Sequence, residues 1–242
     1  MIPRFYCPIP LAPGAGLDLP EEAAHHAARV LRLGEGDHVR LFDGRGGEWL
    51  ARIERLKPTV HVSLEAFDAT DCESPLQVTL VQGLAAGDKM DCIVQKAIEL
   101  GVIAIQPVTA RRSVVRLSAE RGERRVQHWN NVAIAACEQS GRNHVPSVAP
   151  LLDLAQYLAQ PVRDNELRLV LSPRAPRRMR DLAAPAGPVT ILIGPEGGFD
   201  DGEFLATESV GFVAVSLGPR VLRTETAGPT ALAVIMSLWG DV

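Results

Sequence analysis

The 242-residue sequence predicts two units, a small β-barrel carrying one helix and then an α/β unit whose parallel sheet is covered by helices. Three observations predict this. Residues 1 to 70 alternate apolar and polar positions around glycine turns. From Leu76 onward, strand-like and helix-like runs take turns. Between them DATDCESP (Asp68–Pro75) is short, polar and ends in proline. Alternation marks strands with one buried face, and strand–helix succession marks a parallel sheet. The boundary therefore falls in Asp68–Pro75, giving units of residues 1–70 and 74–242.

In the first unit, LPEEAAHHAARVLRL reads as the helix, with Ala23, Ala27, Val30 and Leu31 on one face. LGEGDHVRLFDGRGGEWLARIERL alternates on either side of Asp43-Gly44 and Gly46-Gly47, a hairpin pattern, and VHVSLEAF adds a strand. In the second unit LQVTLVQGL is a strand. DKMDCIVQKAIELG places Met90, Ile93, Val94, Ala97 and Ile98 on one helical face, with Gly101 as the stop. VIAIQPV is the next strand, and RVQHWNNVAIAACEQSG is a helix ending near Gly141. LRLVLS, VTILIG and FVAVSL are further strands. Sheets of this kind bind ligands beyond the carboxyl ends of their strands.

Composition narrows the function classes. Apolar runs such as Ala231–Trp239 fall far short of the roughly 20 residues of a membrane helix. The proline-bearing start MIPRFYCPIPL lacks the apolar run of a secretory signal. Cys7, Cys72, Cys92 and Cys137 are scattered, which argues against a metal ribbon or a disulfide framework. A cytoplasmic protein with neither membrane nor metal partner is expected. The net charge of −4 does not advertise a nucleic-acid partner. The arginines are nevertheless clustered, six within Arg111–Arg125 and four more from Arg174 to Arg180. Arginine grips phosphate bidentately and stacks on bases, so a basic face on an acidic protein stays open.

Two strand-to-helix turns carry the chemistry. VTILIG runs into GPEGGF and then DDGEFLATES, where Asp200 and Glu203 have the spacing of a capping box. Glycines there let backbone amides approach a ligand closely. A phosphate loop is free of negative charge and aimed at a helix N-terminus. Glu196, Asp200 and Asp201 therefore turn the reading away from phosphate and toward an adenosine body carrying a cationic sulfonium. The second turn, SLGPRVLRTETAG, follows FVAVSL and leads into PTALAVIMSLW. Leu222 offers an apolar wall for a purine, Arg220 and Arg223 suit an anionic substrate, and Thr224 or Thr226 can cap the helix.

IGPEGGF together with SLGPRVLRTETA resembles the signature of the SPOUT methyltransferases. More narrowly it resembles the RsmE family, the small-subunit ribosomal RNA (uracil-N3) methyltransferases. AAHHAARVLRLGEGDHVRLFDGRG, KMDCIVQKAIELGVIAIQPVTARRSVV and CEQSGRNHVP extend the resemblance over nearly the whole chain. It implies a PUA-like β-barrel followed by an α/β domain with a C-terminal trefoil knot, a homodimer, and S-adenosylmethionine (SAM) in the knot loops. The cofactor residues so implied are Leu171, Ser172, Ile193, Gly194, Pro195, Glu196, Gly197, Gly198, Ser216, Leu217, Gly218, Leu222 and Arg223. The implied substrate is one uridine of 16S ribosomal RNA in the small ribosomal subunit. The chain departs from the family pattern at Gly228-Pro229. Either the last helix starts there, with Pro229 at its first position, or it is distorted.

Methylating uracil N3 removes a proton largely held at neutral pH, so cations beside the uracil carbonyls would favour the reacting anion. Arg223 and Arg220 are the candidates for that role, with Glu138 as a candidate base and Glu196 as an alternative. Arg4, Arg29, Arg32, Arg111, Arg112, Arg116 and Arg142 are the expected phosphate contacts. Lys96 and Glu99, three apart on a helix, read as an exposed ion pair. Two rival readings are a SPOUT enzyme acting on another RNA site and a non-catalytic RNA-binding protein retaining the fold.

Overall fold

The computed structural model describes residues 2–242. The chain divides into two compact units: residues up to Glu73 together with Cys137–Val145, and Ser74–Ala136 together with Pro146–Val242.

The first unit is built on a five-stranded sheet. Its strands are β1 (Arg4–Tyr6), β2 (Gly16–Asp18), β3 (His38–Phe42), β4 (Glu48–Arg55) and β5 (His61–Asp68), in the order β1-β3-β4-β5-β2. β3 and β4 form the expected antiparallel hairpin around Asp43–Gly47, where Gly44, Gly46 and Gly47 all take positive φ. Register shifts between β4 and β5 at Leu50/Ala51 and Ile53/Arg55 are bulges, which bend the sheet around its core. That core includes Phe5, Val39, Leu41, Ala51, Ile53, Val62 and Leu64, the inward members of each alternation.

The helix of this unit departs from the expectation. α1 (Glu21–His25) widens into a π-helical turn over His26–Val30, marked by the Leu31 N–H donating to the His26 carbonyl at 2.9 Å. Ala23 and Ala27 are buried, but Val30 and Leu31 are 59% and 41% exposed. The five-residue hydrogen-bond step turns positions 30 and 31 off the face that a 3.6-residue period assigns them.

The second unit holds a parallel sheet of β6 (Val78–Gly83), β7 (Ala104–Thr109), β8 (Ser147–Val148), β9 (Leu152–Asp153), β10 (Leu167–Leu171), β11 (Val189–Ile193) and β12 (Val213–Val215). The order is β12-β10-β11-β6-β7-β8, with β9 beside β7. β11 is buried at every position, as a central strand covered on both faces must be. α2 (Lys89–Glu99) buries the five residues its period predicts and packs against α6 (Thr224–Trp239). α4 (Leu154–Leu158) and α5 (Asp201–Ser209) pack together, where Leu154, Tyr157 and Leu158 join Val81, Val170 and Leu192 in a core cluster. α3 (Ala119–Ser140) begins six residues before the expected Arg125. Its added turn is polar and carries Gly122, a weak helix former, so periodicity gave no sign of it. None of these helices is long and apolar enough to cross a membrane, among the described residues.

After β12 the chain runs beside the β10–β11 connection. The Ser216 N–H donates to the Arg177 carbonyl at 2.9 Å, and the Met179 N–H donates to the Ser216 carbonyl at 3.1 Å. Contacts of this kind, followed by α6 packing on α2, are consistent with the trefoil knot.

α6 settles the Gly228-Pro229 question. The helix starts at Thr224, with Pro229 inside it. The Thr226 and Ala227 N–H groups both bond the Arg223 carbonyl, at 2.9 and 2.8 Å, so the first turn forms ahead of the proline. Pro229 has no N–H to offer the carbonyl of Glu225, four residues back.

Candidate functional site

β10, β11 and β12 are parallel neighbours, so Leu171, Ile193 and Val215 end on one edge of the sheet. The implied cofactor loops leave from that edge: Leu171-Ser172, Ile193–Gly198 and Ser216–Arg223. The Ser172 N–H donates to the Val215 carbonyl at 2.9 Å, which ties the first loop to the third. In the second loop Gly198 N–H closes a turn on the Pro195 carbonyl at 2.9 Å, with Gly198 at φ +65°. Gly218 in the third loop has φ +140°, and a Cβ added there would meet nothing within 4 Å. Leu222 is half-buried, while Arg220 and Arg223 are exposed.

The structure joins the second loop to the start of α6, where the third loop ends, through Thr224 and through Gln82, which the sequence reading gave no role. Thr224, buried at the start of α6, donates its Oγ1 hydrogen to the Gly194 carbonyl at 2.8 Å. The same oxygen accepts from Gln82 Nε2 at 3.0 Å. Gln82 is fully buried at the end of β6, and its Oε1 has no hydrogen-bond partner among the described residues. Beside it, a Cβ on Gly83 would lie 2.4 Å from the Pro195 nitrogen, so the two backbones touch. The signal for Gln82 is visible in hindsight: it is a polar residue within the otherwise apolar end of a central strand. Thr224 is a buried link rather than the expected cap, since Arg223 holds the N-cap position.

The carboxylates face away from the role assigned them. Glu196 Oε1 accepts from the Ala86 N–H at 3.0 Å and from Lys89 Nζ at 2.9 Å. Desolvation raises the Glu196 carboxyl, but the hydrogen bonds from Ala86 and Lys89 outweigh it and hold it below the ordinary carboxylate value. Asp200 caps α5 by accepting from the Glu203 N–H at 2.7 Å, and it pairs with Arg111 at 3.0 Å. Glu196 and Asp200 are bound to the protein's own donors, so their charge repels phosphate less than their place in the sequence suggests. Glu196 is likewise committed to the β6–α2 connection rather than free as a base.

Two expected RNA contacts are structural. Arg4 donates to Glu48, to the carbonyls of Cys137, Glu138 and Arg142, and to Asn143. Arg142 is 3% exposed and paired with Glu73. Burial and internal partners take both from solvent, whereas Arg29, Arg32 and Arg116 are exposed. Arg111 and Arg112 are also exposed, although the first pairs with Asp200 and the second reaches the Phe199 carbonyl at 3.4 Å. Glu138 lies in the first unit and accepts the Tyr6 N–H at 3.0 Å. Burial raises its carboxyl, opposed in part by that bond and by the charges of His26 and Arg4. Its carboxylate is thus engaged as an acceptor within the first unit.

Grooves elsewhere in each unit contain none of the loop residues. One is lined by Trp49, Phe67 and Leu11, another by Leu117, Val126 and Leu151. Among the described residues no cluster of His, Cys, Asp and Glu is placed to hold a metal ion.

The sequence matches the RNA methyltransferase domain family over residues 72–236 and the RNA methyltransferase PUA domain family over residues 19–65. It is 33% identical over 224 residues to ribosomal RNA small subunit methyltransferase E of Bacillus subtilis, covering 88% of this chain and 87% of that one. The chain belongs to the ribosomal RNA small subunit methyltransferase E family. Solved structures agree along the whole chain. The Neisseria gonorrhoeae methyltransferase E, bound to S-adenosyl methionine, matches with a TM-score of 0.93 and 40% identity, covering 100% of this chain and 99% of that one. A putative methyltransferase of Legionella pneumophila, in complex with SAM, matches with a TM-score of 0.96 and 39% identity over 100% of both chains. The PUA domain match falls within the first unit, and the RNA methyltransferase domain match falls mainly in the second.

Proposed function

We propose that this chain is a SAM-dependent methyltransferase that methylates N3 of a specific uridine in 16S ribosomal RNA, acting as a cytoplasmic homodimer on the small ribosomal subunit or its RNA. One observation carries the reading. Three loops from adjacent strand ends are tied together at one edge of the sheet, in a chain 40% identical across its length to a SAM-bound family member. The loops suit that cofactor: Gly218 leaves open space where a side chain would stand, and Leu222 adds apolar surface for an adenine. Leu171, Ser172, Ile193–Gly198 and Ser216–Arg223 would hold it. SAM, when bound, supplies an electrophilic methyl group on a sulfonium.

The chain's own residues supply position and charge. Arg220 and Arg223 are exposed within the third loop. Exposed as they are, their guanidinium groups can meet the uracil carbonyls and favour the N3 anion, whose proton passes to solvent water. The base must stand clear of its stack for N3 to reach the methyl group.

Mass-spectrometric mapping of small-subunit RNA tests this in cells lacking the protein and then regaining it. N3-methyluridine should vanish and return at one position. The Arg223→Ala chain should restore it poorly, with the rate of methylation falling by roughly 100-fold. An unchanged N3-methyluridine content on deletion would reject the assignment.

A further inference from the structure

We propose that Lys89 and Gln82 are positioning residues that clamp the second and third loops into the cofactor-binding arrangement; this rests on the SAM reading above. β6 lends no residue to the implied cofactor set, yet its end and the following turn reach both loops. Lys89, the first residue of α2, lies 2.9 Å from Glu196 Oε1 in the second loop and 3.7 Å from Glu225 Oε2 in the first turn of α6. One ammonium thus lies between two carboxylates that would otherwise repel each other. Among the described residues Glu225 Oε2 is buried without a hydrogen-bond partner, and Lys89 is the cation within ion-pair reach of it. The Ala86 N–H reinforces the same grip on Glu196.

Gln82 acts one layer deeper. Its Nε2 donates to Thr224 Oγ1 and to the Gly83 carbonyl, and Thr224 passes the link to Gly194. The unpartnered, buried Oε1 means that the amide is only half satisfied. A half-satisfied buried amide is a poor device for stability. What it provides is geometry, because the Gln82–Thr224–Gly194 chain fixes the start of α6 against the second loop. The ionic clamp at the surface and the hydrogen-bonded clamp beneath it hold the same two segments.

The test separates positioning from general stability. SAM binding by calorimetry, steady-state methylation of small-subunit RNA, and thermal melting are measured for the full chain, Lys89→Met, Lys89→Arg and Gln82→Leu. Lys89→Met should weaken SAM binding and raise its KM about ten-fold, with kcat changed less than about three-fold. Lys89→Arg should recover most of the loss. Gln82→Leu should lose SAM affinity by about as much as Lys89→Met when binding is measured well below the melting transition, where the lower melting caused by leaving Thr224 Oγ1 and the Gly83 carbonyl without their donor does not reduce the folded fraction. Variants that bind SAM like the parent would overturn the clamp. So would losses of kcat that track melting temperature and leave KM unmoved. A parent chain that folds but binds no SAM would instead sink the functional reading itself.

Discussion

Arginines and carboxylates that look alike in the sequence are doing different things in the molecule. Arg4 and Arg142 hold backbone carbonyls and carboxylates inside the first unit, while Arg29, Arg32 and Arg116 face solvent. Glu138 shows what a half-buried carboxyl costs. Its folded state holds the proton more tightly than the unfolded chain, where the ordinary value is about 4.5. Stability is therefore untouched well below that value and is lost as pH rises from it through the raised folded value. Glu138→Gln keeps an acceptor for the Tyr6 N–H and cannot ionise. The variant should melt with the parent near about pH 4 and above it near about pH 8. Melting curves that stay parallel across that range would show that the Glu138 proton is not linked to folding.

At the scale of elements, the decisive contact is between the end of β6 and the loop after β11. Gly83 is required there for space: a Cβ would lie 2.4 Å from the Pro195 nitrogen and 2.7 Å from the Gly194 carbonyl carbon, both backbone atoms. Gly83→Ala should cost about 1–3 kcal/mol by overpacking and should weaken SAM binding more than the Leu222→Ala change does. Chemical denaturation and calorimetry measure the two effects, and an unperturbed variant would mean the loop has slack. Elements with strong local patterns were readable beforehand. α2 shows its whole buried face in its period, and the Asp200–Glu203 capping box is present as spaced. The π-turn at His26–Val30, the early start of α3 and the inclusion of Pro229 in α6 were not readable. Each depends on packing that overrides a local preference.

For the whole molecule, RNA binding should follow the solvent-facing arginines. Neutralising Arg29, Arg32 and Arg116 in turn should each lower the slope of log affinity against log salt by about 0.7–0.9. Filter binding of small-subunit RNA at several salt concentrations measures it, and a slope unchanged by all three would remove them from the interface. Arg4→Ala and Arg142→Ala should act differently, lowering melting temperature because each leaves buried acceptors unpaired.

The sequence by itself determined what is local: the alternation that builds the barrel strands, the helical period of α2, and the two glycine-bearing turns whose loops hold the proposed cofactor site. Those features depend on spacings within one element. The tertiary structure alone decided which charges are free and which are spent. Lys89 and Glu196 are 107 positions apart, and Arg4 and Asn143 are 139 apart. Glu196 looked like a gatekeeper against phosphate in its own loop. Folding brings Ala86 and Lys89 to it instead, because hydrogen bonds and burial act through space and no local pattern records them.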